Sequence, residues 1–212
     1  MFSRRKMLKM GASIGALLIA GKGYAQNEPS IEVEVGSAPF GKWHGFCDVP
    51  ALYYIKGVRI RIEGNRGSGD DTALNGLQLI CAQWGDWAPS PEKLYRASVH
   101  DGFWGDWQSD RLLPDGCYLI GMKLRIEAPQ GDGDDTGLNG IELIYRHQQG
   151  AGVAKMVAEN GYWGDWGEEH SAPGGYYVSG VAAKMEDRVS GGDDTAMDGI
   201  KLRYSLIPPQ FR

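Results

Sequence analysis

Three stretches of this chain alternate strictly between apolar and polar residues. Val58, Ile60 and Ile62 fall on one side and Arg59, Arg61 and Glu63 on the other. Met122, Leu124 and Ile126 oppose Lys123, Arg125 and Glu127, and Val181, Ala183 and Met185 oppose Ala182, Lys184 and Glu186. A period of two over six residues predicts half-buried β-strands. Each stretch follows a glycine (Gly57, Gly121, Gly180), and 13 residues beyond each glycine stands an acidic triplet. The triplets are Asp70-Asp71-Thr72, Asp134-Asp135-Thr136 and Asp193-Asp194-Thr195. A second alternating stretch follows each triplet: Leu77, Leu79, Cys81; Ile141, Leu143, Tyr145; Ile200, Leu202, Tyr204. Gly, Asp and Asn between the two stretches tolerate positive φ or bond to their own backbone, so each unit predicts an antiparallel pair joined by a turn.

The constant spacing defines three repeats, at about 31–83, 92–146 and 152–206. An aromatic cluster precedes each strand pair. Gly41-Lys42-Trp43-His44-Gly45-Phe46 aligns with Gly102-Phe103-Trp104-Gly105-Asp106-Trp107 and with Gly161-Tyr162-Trp163-Gly164-Asp165-Trp166. Further apolar stretches, such as 31–35 and 153–157, bring each repeat to about three or four strands, an ordinary sheet size. Sustained helical periodicity is absent beyond the first 25 residues. A unit this small cannot bury its own apolar face. The expectation is an all-β domain in which three small sheets pool those faces around one axis, closed so as to limit exposed edges.

In its Trp-Gly-Asp-Trp clusters, its strand at 121–127 and its Gly-Asp-Asp-Thr-Ala-Leu-Asn-Gly turn at 69–76, the chain resembles the vitelline membrane outer layer protein 1 family. The resemblance recurs three times and covers nearly all of residues 31 to 205. It implies a β-prism of type I, three Greek-key antiparallel sheets with pseudo-threefold symmetry. It also implies a secreted protein associated with carbohydrate. The family is cysteine-rich, and this chain departs from it in holding only three cysteines.

The N-terminus changes the picture of charge and location. Ser3-Arg4-Arg5-Lys6 followed by a short apolar run to Ala20, and a small residue at Ala25, has the form of a twin-arginine export signal spanning 1–25. Residues 26–212 are then expected to form one domain, monomeric and without a membrane anchor, in the periplasm or outside the cell. Removing the signal's five basic residues leaves 17 Lys and Arg against 27 Asp and Glu, a net charge of −10. An acidic surface repels nucleic acid, whose binding needs clustered Lys and Arg. A glycan or polysaccharide, or a basic protein such as a lysozyme, remains as partner. Cys47, Cys81 and Cys117 allow at most one internal disulfide, for which Cys47 with Cys81, inside the first repeat, is the preferred pair. Their spacings match no zinc pattern, and no cofactor is expected.

The acidic triplets offer hard oxygen ligands of the kind calcium takes. Too few are supplied locally to fill its six to eight positions, so the triplets read as structural turns. The indoles of Trp104, Trp107, Trp163 and Trp166, beside Asp106 and Asp165, suit stacking on sugar rings, although large aromatics are mostly core anchors. Trp84-Gly85-Asp86-Trp87 is different. It lies in a connection five residues longer than its counterpart, has no equivalent there, and is followed by Pro89 and Pro91. No symmetry position requires Trp84 and Trp87, so they are the first choice for an exposed glycan platform, with packing beneath the loop as the alternative. For catalysis, Glu168-Glu169-His170 is the asymmetric acid–base candidate, but it reads better as a solvated loop. A non-catalytic glycan-binding protein is the leading expectation. A protein-binding or structural module comes second, and a weak glycoside hydrolase or transferase third.

Overall fold

The computed structural model describes residues 30–64, 73–130, 136–150, 152–187 and 196–212. Residues 1–25, read above as an export signal, lie outside these residues, as do the acidic triplets except for Thr136. The predicted pairs form as long antiparallel hairpins. They are β4 (Tyr53–Ile62) with β5 (Leu74–Gln83), β9 (Cys117–Ile126) with β10 (Leu138–His147), and β13 (Tyr176–Met185) with β14 (Met197–Leu206).

The repeated Leu-Asn-Gly and its variants have a shared local cause. In every pair the register slips at the residue before the second-strand glycine, which places Asn75, Asn139 and Asp198 at equivalent bulges, all fully buried. A bulge re-aims its side chain. Asn75 turns back to accept the backbone N–H of Trp104 at 3.1 Å, and Asn139 donates to Thr136 Oγ1 at 2.6 Å. Thr136 in turn donates its hydroxyl to Glu127 Oε2 at 2.6 Å, so this triplet residue ties the turn to the first strand. Ala73, Gly137 and Ala196, equivalent residues at the end of each triplet, all have positive φ, and their carbonyls accept from Glu63, Glu127 and Glu186.

Each sheet adds outer strands to one of these pairs. Sheet I has the order β6-β5-β4-β7, with β6 (Tyr95–His100), β7 (Asp106–Trp107), and β8 (Arg111–Leu112) also on β4. Sheet II has the order β11-β10-β9-β12, with β11 (Val153–Asn160) and β12 (Asp165–Ser171). Sheet III has the order β1-β14-β13-β2, with β1 (Ile31–Ser37), β2 (Lys42–Trp43), and β3 (Cys47–Asp48) also on β13. The three share one Greek-key arrangement, the β-prism expected from the resemblance. Every aromatic cluster therefore docks on the strand pair that precedes it in the ring. The first cluster joins the last pair, and β1 pairs with β14 to close the prism. Sequence repeats and sheets thus have different boundaries.

The pairing also corrects the alignment of the aromatic clusters. Trp107 lies opposite Arg61, Trp166 opposite Arg125, and Trp43 opposite Lys184. Trp43 is therefore the counterpart of Trp107 and Trp166, three residues away from the match made on sequence. Gly41, Gly105 and Gly164 coincide accordingly, each at positive φ against the backbone of Met185, Ile62 or Ile126. The motif Gly-x-aromatic-Gly-x-aromatic nearly repeats after three residues, so sequence alone finds both registers acceptable.

The inward residues of all three pairs belong to one apolar cluster. Val58, Ile60, Leu77, Met122, Ile141, Val181 and Ile200 are at most 1% exposed. At the end away from the acidic turns, Tyr54, Tyr118 and Tyr177 occupy equivalent positions three residues before the repeat glycines. They converge on Trp84, with ring centroids 5.2, 5.4 and 5.1 Å away. Phe211 stacks on the same indole at 5.7 Å and Trp87 meets it edge-on at 5.4 Å. Trp84 is 5% exposed, so the expectation of an exposed platform at this residue is overturned. A threefold axis has room for one side chain, which cannot be triplicated, and the indole that lacks a symmetry mate is the one that fills it.

Candidate functional site

Two regions bring the predicted site residues to the surface, at opposite ends of the strand pairs. At the end of the acidic turns, a cation grips each aromatic loop. Arg61 donates to the carbonyls of Asp101, Gly102 and Gly105. Arg125 donates to Gly161, Tyr162 and Gly164, and Lys184 to Ala38 at 2.7 Å. Trp107, Trp166 and Trp43 are half-buried on the outer sheet faces, with Arg59, Lys123 and Lys201 over their rings at 5.5, 6.0 and 4.0 Å. A cation over an indole occupies the face a sugar would use. Trp104 and Trp163 are half-buried and packed edge-on by Phe103 and Tyr162, while Asp106 and Asp165 are exposed. Among the described residues Tyr162, 77% exposed, is the most open large hydrophobic side chain.

At the other end, the long connection after β5 builds a groove of about 330 Å³, lined by Tyr53, Gln83, Asp86, Pro89 and Lys93. Its position follows from the axial packing. Burial of Trp84, whose backbone N–H donates to the Leu52 carbonyl at 2.8 Å, turns the chain, and the Tyr54 hydroxyl donates to the Asp86 carbonyl at 2.9 Å. That leaves the Asp86 side chain facing outward, 3.2 Å from Lys93 Nζ. Burial, then the Asp86 and Asp115 charges, push the Tyr54 hydroxyl far above an ordinary phenol, so it stays a donor. Pro91–Lys93 forms a single 3₁₀ turn that presents Lys93. Tyr95, 48% exposed on the neighbouring edge strand, stands edge-on to Tyr53 with centroids 6.2 Å apart.

Of the four residues Trp84 to Trp87, the structure thus keeps only Asp86 as a groove residue. Trp84 is the axial plug and Trp87 packs half-buried against the core beside Tyr54. Tyr53, Gln83, Lys93 and Tyr95 were not singled out from the sequence. The lengthened connection was the one signal pointing to their neighbourhood.

The preferred disulfide is also corrected. Cys47, Cys81 and Cys117 are free thiols. Cys47 sits on β3 in sheet III and Cys81 on β5 in sheet I, so the exchange of outer strands puts residues that share a repeat into different sheets. Burial raises both thiols, Cys81 to about 12, which keeps them protonated and slow to react. The acid–base candidate fares no better. Glu169 is ion-paired with Lys155, whose hydrogen bond holds its carboxyl below the usual range, the opposite of what a general acid requires.

A sequence model of the family described as vitelline membrane outer layer protein I (VOMI) matches residues 31–203. The vitelline membrane outer layer protein 1 homolog of Homo sapiens is 38% identical over 106 residues, covering 49% of this chain and 52% of that protein, so this match spans about half the relative. The homolog of Mus musculus is 29% identical over 205 residues, covering 92% of this chain and 96% of that protein. Among solved structures, Calystegia sepium agglutinin is similar in shape, with a TM-score of 0.53 and 10% identity, covering 84% of this chain and 97% of that one. At that identity the likeness bears on the fold alone.

Proposed function

The chain belongs to the vitelline membrane outer layer protein I family, and on that premise we propose that it is a non-catalytic carbohydrate-binding protein that acts outside the cytoplasm. The observation that carries the reading is the groove after β5. Its volume of about 330 Å³ falls at the lower end of ordinary ligand sites and suits one or two sugar rings. Its walls combine what sugars require. Tyr53 in the wall, extended by Tyr95 edge-on beside it, offers aromatic surface to the apolar face of a pyranose. Asp86 accepts hydroxyl protons, Gln83 both donates and accepts, and Lys93 donates. The family and the lectin-like fold support carbohydrate as the ligand class. The twin arginines Arg4 and Arg5 support export to the periplasm or beyond.

A glycan array on residues 26–212, followed by calorimetry on the best ligand, tests this. Tyr95→Ala and Asp86→Asn are expected to weaken binding at least tenfold with little change in melting temperature, since both side chains point outward. Wild-type affinity in both would remove the groove from the reading, and a folded protein that binds no glycan would remove carbohydrate. The net charge of −10 on residues 26–212 supports a second reading, a basic protein partner. That association would fade with sodium chloride whereas stacking on a neutral sugar would not.

A further inference from the structure

At the junction of sheets III and I, away from the groove, two imidazoles face each other. His44 follows β2 and is held by its backbone N–H to Ala183 O at 2.9 Å. His100 ends β6. Their ring centroids are 5.0 Å apart with an interplanar angle of 65°. His100 Nδ1 accepts the backbone N–H of Gly102 at 3.0 Å, so its ring proton resides on Nε2. Charging His100 means placing a second proton on Nδ1, which turns the acceptor into a donor aimed at another donor. Phe103 packs on His100 at 5.8 Å and Trp104 on Phe103 at 5.4 Å, so the contact continues into the aromatic loop.

The charged groups around the pair pull in both directions. Asp101 and Asp187 favour a charged imidazole. However, Asp101 accepts from Ser98 Oγ at 2.6 Å and Asp187 lies 3.4 Å from Lys42 Nζ, which blunts both. Arg61 donates to the carbonyls of Asp101 and Gly102 and already supplies this loop with a positive charge. Burial first, and His44 second, hold His100 below the ordinary histidine value against the two carboxylates.

We propose that the His44–His100 contact is a proton-sensitive latch that joins sheets III and I at neutral pH and releases the 101–107 loop on acidification. The sign follows from the geometry. A histidine that folds neutral contributes stability that is complete above the ordinary pKa of about 6.5 and is lost as pH falls through the interval below it. Among the described residues, its counterpart in sheet II is Glu159, whose carboxylate accepts a backbone N–H without needing a neutral imidazole, so the latch belongs to one corner of the prism.

Titration of the histidine ring carbons by NMR, with amide exchange at Gly102, tests the proposal on residues 26–212. His100 is expected to titrate below 6.5, and His44→Asn to move that midpoint upward. Between pH 7.5 and 5.0, wild-type Gly102 is expected to lose at least tenfold more protection, after correction for intrinsic exchange, than His100→Gln, which keeps an acceptor oxygen but cannot charge. Parallel loss in wild type and His100→Gln would overturn the latch. So would a His100 midpoint at or above the ordinary value, a measurement that needs no variant at that position.

Discussion

Replacing Trp84 by alanine separates the two roles its indole could serve. In the structure the ring is 95% removed from solvent and touches Tyr54, Trp87, Tyr118, Tyr177 and Phe211. Burying an indole removes about 150–250 Å² from water. At about 25 cal/mol per Å² that is worth about 4–6 kcal/mol. Alanine retains part of it, and the neighbouring rings relax partway into the void, so the expected loss is about 3–5 kcal/mol. For a domain of this size each kcal/mol moves the midpoint by about 2–4 °C, giving a fall of about 10 °C. Circular-dichroism melts and urea titrations read both quantities, with Tyr162→Ala as the control. That residue is 77% exposed and its loss is expected to cost under about 0.5 kcal/mol. A Trp84→Ala protein as stable as Tyr162→Ala, but unable to bind glycan, would refute the axial plug and restore the platform.

Two further substitutions and one control probe an aromatic loop and the Thr136 network. Gly105 has φ of +73°, and an added Cβ would lie 2.0 Å from the carbonyl oxygen of Ile62, so Gly105→Ala is expected to cost about 3 kcal/mol or more. Gly174→Ala, with open space around it, is expected to leave the melting temperature nearly unchanged. Thr136→Val removes the hydroxyl that both donates to Glu127 and accepts from Asn139 in a buried setting, and is expected to lose about 1–3 kcal/mol by urea unfolding. A neutral Thr136→Val would show that the turn does not depend on that network.

The strands, their inward faces and their threefold recurrence were legible in the sequence because each rests on local periodicity. Val58, Met122 and Val181 declare their side of the sheet by the residues two places away. Three other features rest on contacts between residues far apart in sequence. Cys47 and Cys81 share a repeat yet lie in different sheets, because the outer strands dock on the preceding pair. Trp43 matches Trp107 and not Trp104, because strand pairing chose between two registers that the glycine spacing left equal. The groove of Tyr53, Gln83, Asp86 and Lys93 gathers residues whose types are unremarkable one by one.

Trp84 shows the boundary most clearly. The sequence determined that this indole has no symmetry mate, and a surface loop was the natural reading of an unmatched residue. The tertiary structure decided the opposite, because the axis shared by three equivalent sheets is a single place. Three converging tyrosines leave one space there, which only a residue outside the repeat can occupy.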